Sequence, residues 1–188
     1  FYALIEFETR AQVTSVALAL FEQCAAQGWV LDGVVSQSLA QTRALWRLRE
    51  DISETLWHWQ PYKNDISVRV SKMSDFLAEV DQLVAARYPD FEIVWYGHIG
   101  DGNLHLNILK PEDLPQTEFF ERCGIVSLEI GELLARYGGS ISAEHGVGLL
   151  KKSLLPYSRS PVEIALMRSI KTTFDPKSIL NPGKVFDS

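Results

Sequence analysis

Two imidazoles stand close together in the stretch Gly97-His98-Ile99-Gly100-Asp101-Gly102-Asn103-Leu104-His105. The surroundings read as a hairpin. Apolar, β-prone residues occupy 91–96 and 104–109, with a Gly/Asp/Asn cluster between them. A two-residue type I′ turn at Asp101-Gly102 pairs Gly100 with Asn103, Ile99 with Leu104 and His98 with His105. Facing residues share a side of the sheet, with Cβ atoms about 5 Å apart, so both rings reach one ion. Tyr96 and Asn107 fall on the same face by the period of two. Zinc requires at least a third protein ligand. A carboxylate beside an imidazole, Glu144-His145, lies in the glycine-bounded segment 138–148 and offers one ligand and one base. Strand neighbours point to opposite faces, so both serve one site only where the strand ends or kinks, which Gly146 and Gly148 permit. The same residue types also suit two surface histidines on a turn and a solvent-exposed Glu-His pair.

The elements that must position these groups are read from periodicity. Residues 2–8 read as a strand. Residues 11–27 read as a helix through Val13, Val16, Ala17, Leu20 and Cys24, stopped at Gly28. Residues 29–38 are β-prone again, with Asp32-Gly33 as a bulge or an interruption. Residues 39–59 read as one long helix, its apolar stripe formed by Leu45, Leu48, Ile52 and Leu56. Arg49, Ser53 and Trp57 line a neighbouring face, either a polar wall of a site or an ordinary boundary stripe. Pro61 ends that helix. A strand follows over 65–70, with Lys63 just before it, and Ser74 is placed to cap a helix reaching Arg87. Residues 118–137 form an amphipathic helix stopped by Gly138-Gly139. A basic linker over 149–160 places Lys151 and Lys152 in solvent, and Pro161 fits the first turn of a helix to about 174. There are too few regular βαβ units for a doubly wound sheet, and neither a dinucleotide fingerprint nor a Walker loop is present. The expected fold is a single α+β sandwich, with an antiparallel or mixed sheet and helices on one face.

The chain has 188 residues, 46% of them hydrophobic, and a formal charge of −6. That suffices for a sizeable core. The acidic balance, without a Lys/Arg cluster, argues against nucleic acid. No apolar run approaches the ~18 residues of a membrane span. Cys24 and Cys123 have no metal-ligand spacing and read as reduced thiols, hence a cytoplasmic location. The chain opens without Met, inside a strand pattern, which suggests a piece of a longer protein.

Three motifs in order, Gly97 to His105, Ser142-Ala143-Glu144-His145-Gly146-Val147-Gly148, and Phe174-Asp175-Pro176 to Leu180-Asn181-Pro182-Gly183-Lys184, resemble the C-terminal domain of FAD-linked oxidases of the vanillyl-alcohol oxidase superfamily. The resemblance is closest to the D-2-hydroxyglutarate and D-lactate dehydrogenase branches. It implies a substrate-binding cap with a ferredoxin-like core, preceded by an FAD-binding domain outside this chain. It also implies that His98, His105 and Glu144 hold a divalent metal, commonly zinc. His145 would be the general base and Asn107 would touch substrate. Asn181 would lie in the segment that returns toward the FAD domain. Leu45-Trp46-Arg47-Leu48-Arg49-Glu50 and Lys63-Asn64-Asp65-Ile66-Ser67 resemble the D-2-hydroxyglutarate branch, in which Arg49, Ser53 and Lys63 grip the substrate carboxylates. Ser53 departs from the expected threonine but keeps the hydroxyl. The implied reaction oxidises a D-2-hydroxy acid to a 2-oxo acid, with a metal-activated hydroxyl, proton removal by His145 and hydride transfer to FAD. The implied partners are this small acid and the chain's own FAD domain. The apolar docking surface for that domain could also pair two copies into a homodimer. Two rival readings are a stand-alone zinc hydrolase and a non-catalytic interaction domain.

Overall fold

One strand, buried at every position, sits at the centre of the sheet. β3 (Asn103–Ile108) is flanked by β1 (Tyr62–Ser67) and β2 (Ile93–His98), both antiparallel to it. The computed structural model describes residues 1–8 and 12–187. These fall into two compact units, Phe1–His58 and the remainder from Trp59 onward.

In the second unit the period of two divides the sheet into unlike faces. Ile66, Leu104, Leu106 and Ile108 face a core completed by α4 (Met73–Arg87) and α5 (Gln116–Tyr137). α4 contributes Phe76, Val80 and Val84. α5 contributes Phe119, Cys123, Val126, Ile130, Leu133 and Leu134, at helical spacings of three and four. Burial pushes the Cys123 thiol up to about 11, so it is an inert packing group. The opposite face is polar. Its register pairs Lys63 with Asn107, Asp65 with His105 and Ser67 with Asn103 on one side of β3. On the other side it pairs Tyr96 with His105 and His98 with Asn103.

The second unit runs β1, α4, β2, β3, α5, after which Ser140 makes a single antiparallel bridge to Ser67. This is the βαββαβ order of a ferredoxin-like layer, with the fourth strand reduced to one bridge. The expected α+β class holds, and the three-stranded sheet is antiparallel throughout. α6 (Pro161–Phe174) starts at a capping box between Ser160 and Glu163, with Pro161 in its first turn.

Several boundaries differ from the sequence reading. Residues 2–8 and 29–38 form no strand: alternation specifies a face, but a ladder also needs a pairing partner, and neither segment pairs with another among the described residues. The helix expected from residue 11 is α1 (Val13–Ala26), and residue 11 lies outside the described residues. The long helix over 39–59 is broken into α2 (Leu39–Glu50), α3 (Ile52–Leu56) and a 3-10 turn at Trp57–Trp59. The break falls where Asp51, Ile52, Ser53 and Thr55 lower helix propensity together. β1 starts at Tyr62 rather than 65, since its partner residues on β3 decide its limits more than β-propensity does. A 3-10 turn over Val70–Lys72 leads into α4, so Ser74 lies within the first turn of the helix instead of capping it.

The hairpin turn also differs. The strands close at His98 opposite Asn103, leaving a four-residue connection instead of a two-residue turn. Asp101 Oδ1 accepts from Asn103 N at 3.0 Å, and Gly102 O accepts from Val68 N at 3.1 Å. The first bond diverts the Asn103 N–H that a two-residue turn would need, and the second ties the turn to the end of β1. Gly102 has φ +78°, and a Cβ there would lie 1.9 Å from Val68 O. Gly102→Ala should therefore destabilise the protein by on the order of 2 kcal/mol. Thermal denaturation should show Tm lowered by roughly 4–8 °C. An unchanged Tm would contradict the tight approach of Gly102 to the Val68 carbonyl.

Candidate active site

The polar sheet face carries a cluster of titratable groups. Asp65, His105, Glu144 and His145 each offer a ligand atom within 4.8 Å of the others. β1 and β3 present Asp65 and His105 as direct neighbours. Glu144 and His145 come from the irregular segment after the Ser140 bridge. Gly146, at φ +77°, lets the chain bend there, so that both side chains turn to one site as expected for a strand that ends.

His105 lies between two carboxylates. Its Nδ1 is 3.7 Å from Asp65 Oδ1, and its Nε2 is 3.0 Å from Glu144 Oε1. An Nε2–H would donate to Glu144 at that distance, and a cation in place of the proton would be met by the imidazole nitrogen and the carboxylate together, so the donor set fits a divalent metal. His145 stands in the same orientation, with Nδ1 3.5 Å from Asp65 Oδ2 and Nε2 3.8 Å from Glu144 Oε1. The two rings stack with centroids 5.6 Å apart. His105 is buried, whereas His145 is 59% exposed and therefore open to a ligand.

Asp65 is the part that reading for motifs missed. Its Oδ2 accepts from Ser142 Oγ at 3.0 Å, His145 N at 3.0 Å and Lys151 Nζ at 3.1 Å. Glu144 N lies 3.4 Å from both carboxylate oxygens. Burial pushes the carboxyl up, but the His145 N–H, the Lys151 ammonium and the Ser142 hydroxyl outweigh it and bring Asp65 down to about 2. These donors saturate Oδ2, so Asp65 is a bracket more than an open ligand. Lys151, expected in solvent, is largely buried and bonds both the carboxylate and the Asp65 carbonyl. Burial draws its ammonium below the usual range, against the pull of Asp65. The available signal was an acidic residue inside a strand, a position where aspartate is disfavoured.

The other predicted residues are placed as follows. His98 lies on the same face, its ring centroid 6.4 Å from that of His105, with Nδ1 3.3 Å from Asn103 Nδ2 and 3.9 Å from Asp101 Oδ2. It is outside the four-residue cluster. Asn107 is buried in the sheet. Its Nδ2 donates to the His105 and Val94 carbonyls, and its Oδ1 has no hydrogen-bond partner among the described residues. Lys63 is its register partner on β1. Arg49 is in the last turn of α2 and Ser53 is in α3, both in the first unit. Asn181 adopts a left-handed backbone, and its Oδ1 accepts from Lys184 Nζ at 2.9 Å. The segment after it returns to the glycine loop, where Val185 N donates to Gly148 O at 2.8 Å.

The site is thus the polar face of a ferredoxin-like layer, on which two imidazoles and two carboxylates gather. The family model for FAD linked oxidases, C-terminal domain, matches residues 1–185, and the chain belongs to that family. It is 60% identical over 187 residues to a D-2-hydroxyglutarate dehydrogenase of Stutzerimonas stutzeri, covering 99% of this chain and 40% of that protein. A D-2-hydroxyglutarate dehydrogenase of Xanthomonas citri pv. viticola is 53% identical over 189 residues, again with 40% of its length covered. A mitochondrial D-2-hydroxyglutarate dehydrogenase of Danio rerio is 40% identical over 164 residues, which are 87% of this chain and 30% of the relative. The chain thus spans well under half the length of these relatives. No helix among the described residues is long and apolar enough to cross a membrane.

The depressed Asp65 pKa makes an acid-side prediction. A carboxyl near 2 when folded and ~3.9 when unfolded stabilises the fold fully above the unfolded value. That contribution, about 2 kcal/mol, is lost as pH falls from roughly 4 toward 2. Urea titrations at pH 7 and pH 3 should show this loss, and Asp65→Asn should flatten the acid-side slope while lowering stability at pH 7. An acid slope unchanged by the substitution would show that Asp65 is not ionised preferentially in the fold.

Proposed function

We propose that this chain is the substrate- and metal-binding part of an FAD-dependent dehydrogenase that oxidises a D-2-hydroxy acid, of the D-2-hydroxyglutarate type, to the 2-oxo acid. The observation that carries this reading is the gathering of Asp65, His105, Glu144 and His145 within 4.8 Å of one another, with His105 Nε2 3.0 Å from Glu144 Oε1 and His145 exposed beside them. In this reading His98, His105 and Glu144 hold the cation, with zinc the natural choice for an imidazole and carboxylate set. When bound, the metal supplies Lewis-acid character that lowers the pKa of a substrate hydroxyl, and FAD, held mainly by a domain outside this chain, supplies the hydride acceptor.

The chain's own residues do the rest. His145 takes the hydroxyl proton at a ring nitrogen, with Asp65 behind its Nδ1 to orient the ring. Asn107 offers its unpartnered Oδ1 to a donor on the substrate, since a buried acceptor without a partner favours a ligand that provides one. Lys63, beside Asn107 in the sheet, and Arg49 supply positive charge for carboxylates, Arg49 in a bidentate fork, with Ser53 adding a hydroxyl. Asn181 lies toward the flavin. The relatives' names support the D-2-hydroxyglutarate choice. The unpaired thiols of Cys24 and Cys123 support a cytoplasmic location.

The test is metal content by plasma mass spectrometry, together with steady-state kinetics of the full-length protein. Wild type should carry about one zinc per chain, and His105→Ala and Glu144→Ala should lose it. His145→Gln should keep the metal and lose roughly 10²–10⁴-fold in kcat. Arg49→Ala should act mainly on KM. Full activity in metal-free protein would sink the proposal.

A further inference from the structure

The His105 imidazole stands between two other rings. Tyr96 opposes it directly across the β2–β3 ladder, with ring centroids 4.8 Å apart and planes tilted by 33°. His145 lies toward β1, where its N–H is bonded to Asp65, and its ring is 5.6 Å from that of His105 at a tilt of 27°. The carboxylates at the ring edge constrain the imidazole less. Asp65 Oδ1, 3.7 Å from Nδ1, is beyond hydrogen-bond reach. Glu144, 3.0 Å from Nε2, sits on the irregular segment with its side chain 46% exposed. The χ2 well of a histidine is broad, so packing against the ring faces decides the plane in which its nitrogens lie. Of the two flanking rings, His145 is the proposed base and stands on the same irregular segment. Tyr96 belongs to a strand whose register with β3 is fixed along its whole length.

We infer that Tyr96 is a positioning residue of the site: its ring is the fixed wall that sets the plane of His105, and with it the direction of Nε2. The inference rests on the proposed metal role for its consequence, a preoriented ligand, though not for its geometry. Directly opposed strand residues have Cβ atoms about 5 Å apart, and an aromatic ring at such a position covers its neighbour. An aliphatic residue at position 96 would keep the strand and leave one face of the imidazole open. The phenol hydroxyl has no part in this role, so phenylalanine should serve as well as tyrosine.

The test uses the full-length protein labelled with ¹³C-histidine, as wild type, Tyr96→Phe, Tyr96→Val and Tyr96→Leu. Two aliphatic variants guard against one of them failing to fold. The His105 ring signal is assigned by its loss in His105→Gln. In metal-free wild type and Tyr96→Phe it should be one sharp line, moved upfield by the neighbouring ring. In a folded aliphatic variant that shift should shrink, and the line should broaden as the imidazole exchanges between planes. Zinc affinity, read by chelator competition, should fall about 10-fold in the aliphatic variants, as when other groups that orient a metal ligand are removed. It should stay near wild type in Tyr96→Phe. A folded aliphatic variant with a sharp His105 line and wild-type zinc affinity would overturn the inference. So would a Tyr96→Phe variant as impaired as the aliphatic ones, since the role would then lie in the hydroxyl. Wild type that binds no zinc would instead refute the metal role in the proposed function, and the His105 line would still decide the role of Tyr96.

Discussion

The buried pairing of Asp65 with Lys151 and with the backbone of the Glu144-His145 segment is the constraint on which the site depends. Removing a carboxylate and an ammonium from water is costly, and a buried pair seldom stabilises a fold more than well-packed apolar residues would. Its value here is directional. The donors to Asp65 come from a glycine-flanked segment with no ladder of its own beyond the Ser140 bridge. Ser140, the buried Ile141 and Val147 hold the ends of that segment, and the carboxylate holds the Glu144-His145 backbone between them. With it, two side chains adjacent in sequence are brought to one point beside His105.

The sheet supplies the second half of the constraint. Because the apolar face is claimed by α4 and α5, β3 cannot slip by one residue without turning Leu104, Leu106 and Ile108 away from the core. The core therefore fixes which face His105 and Asn107 occupy, although neither contributes to it. This explains why the hairpin can close two residues differently from the simplest turn and still keep His98 and His105 on one side. An even shift conserves the face, and the chemistry depends on the face before it depends on the exact partner.

Legibility in the sequence followed the same division. The layer order, α5, α6 and the facing of His98, His105 and Asn107 were readable, because periodicity records burial and parity survives an error in the turn. The adjacency of Glu144 and His145 to that face was readable from the glycines that let a strand end. Asp65 and Lys151 were not, because they are 86 residues apart and a long-range ion pair leaves no local pattern. Residues 2–8 and 29–38 look like strands by composition, but composition does not specify an edge to pair with. The split of the long helix at Asp51 turned on small propensity differences that a strong apolar stripe concealed.

One group at the site fits this picture. Asn107 Oδ1 is buried without a donor among the described residues, beside the close pairing of His105 Nε2 with Glu144 Oε1. The buried acceptor costs free energy in the absence of a ligand, on the order of 1–3 kcal/mol. It persists because strand register fixes the backbone beneath Asn107, and the apolar core on the opposite face offsets the cost. The same rigidity that prevents relaxation preorganises the groups for a cation and a hydroxylated substrate, so the energetic defect and the binding capacity arise from one arrangement of side chains.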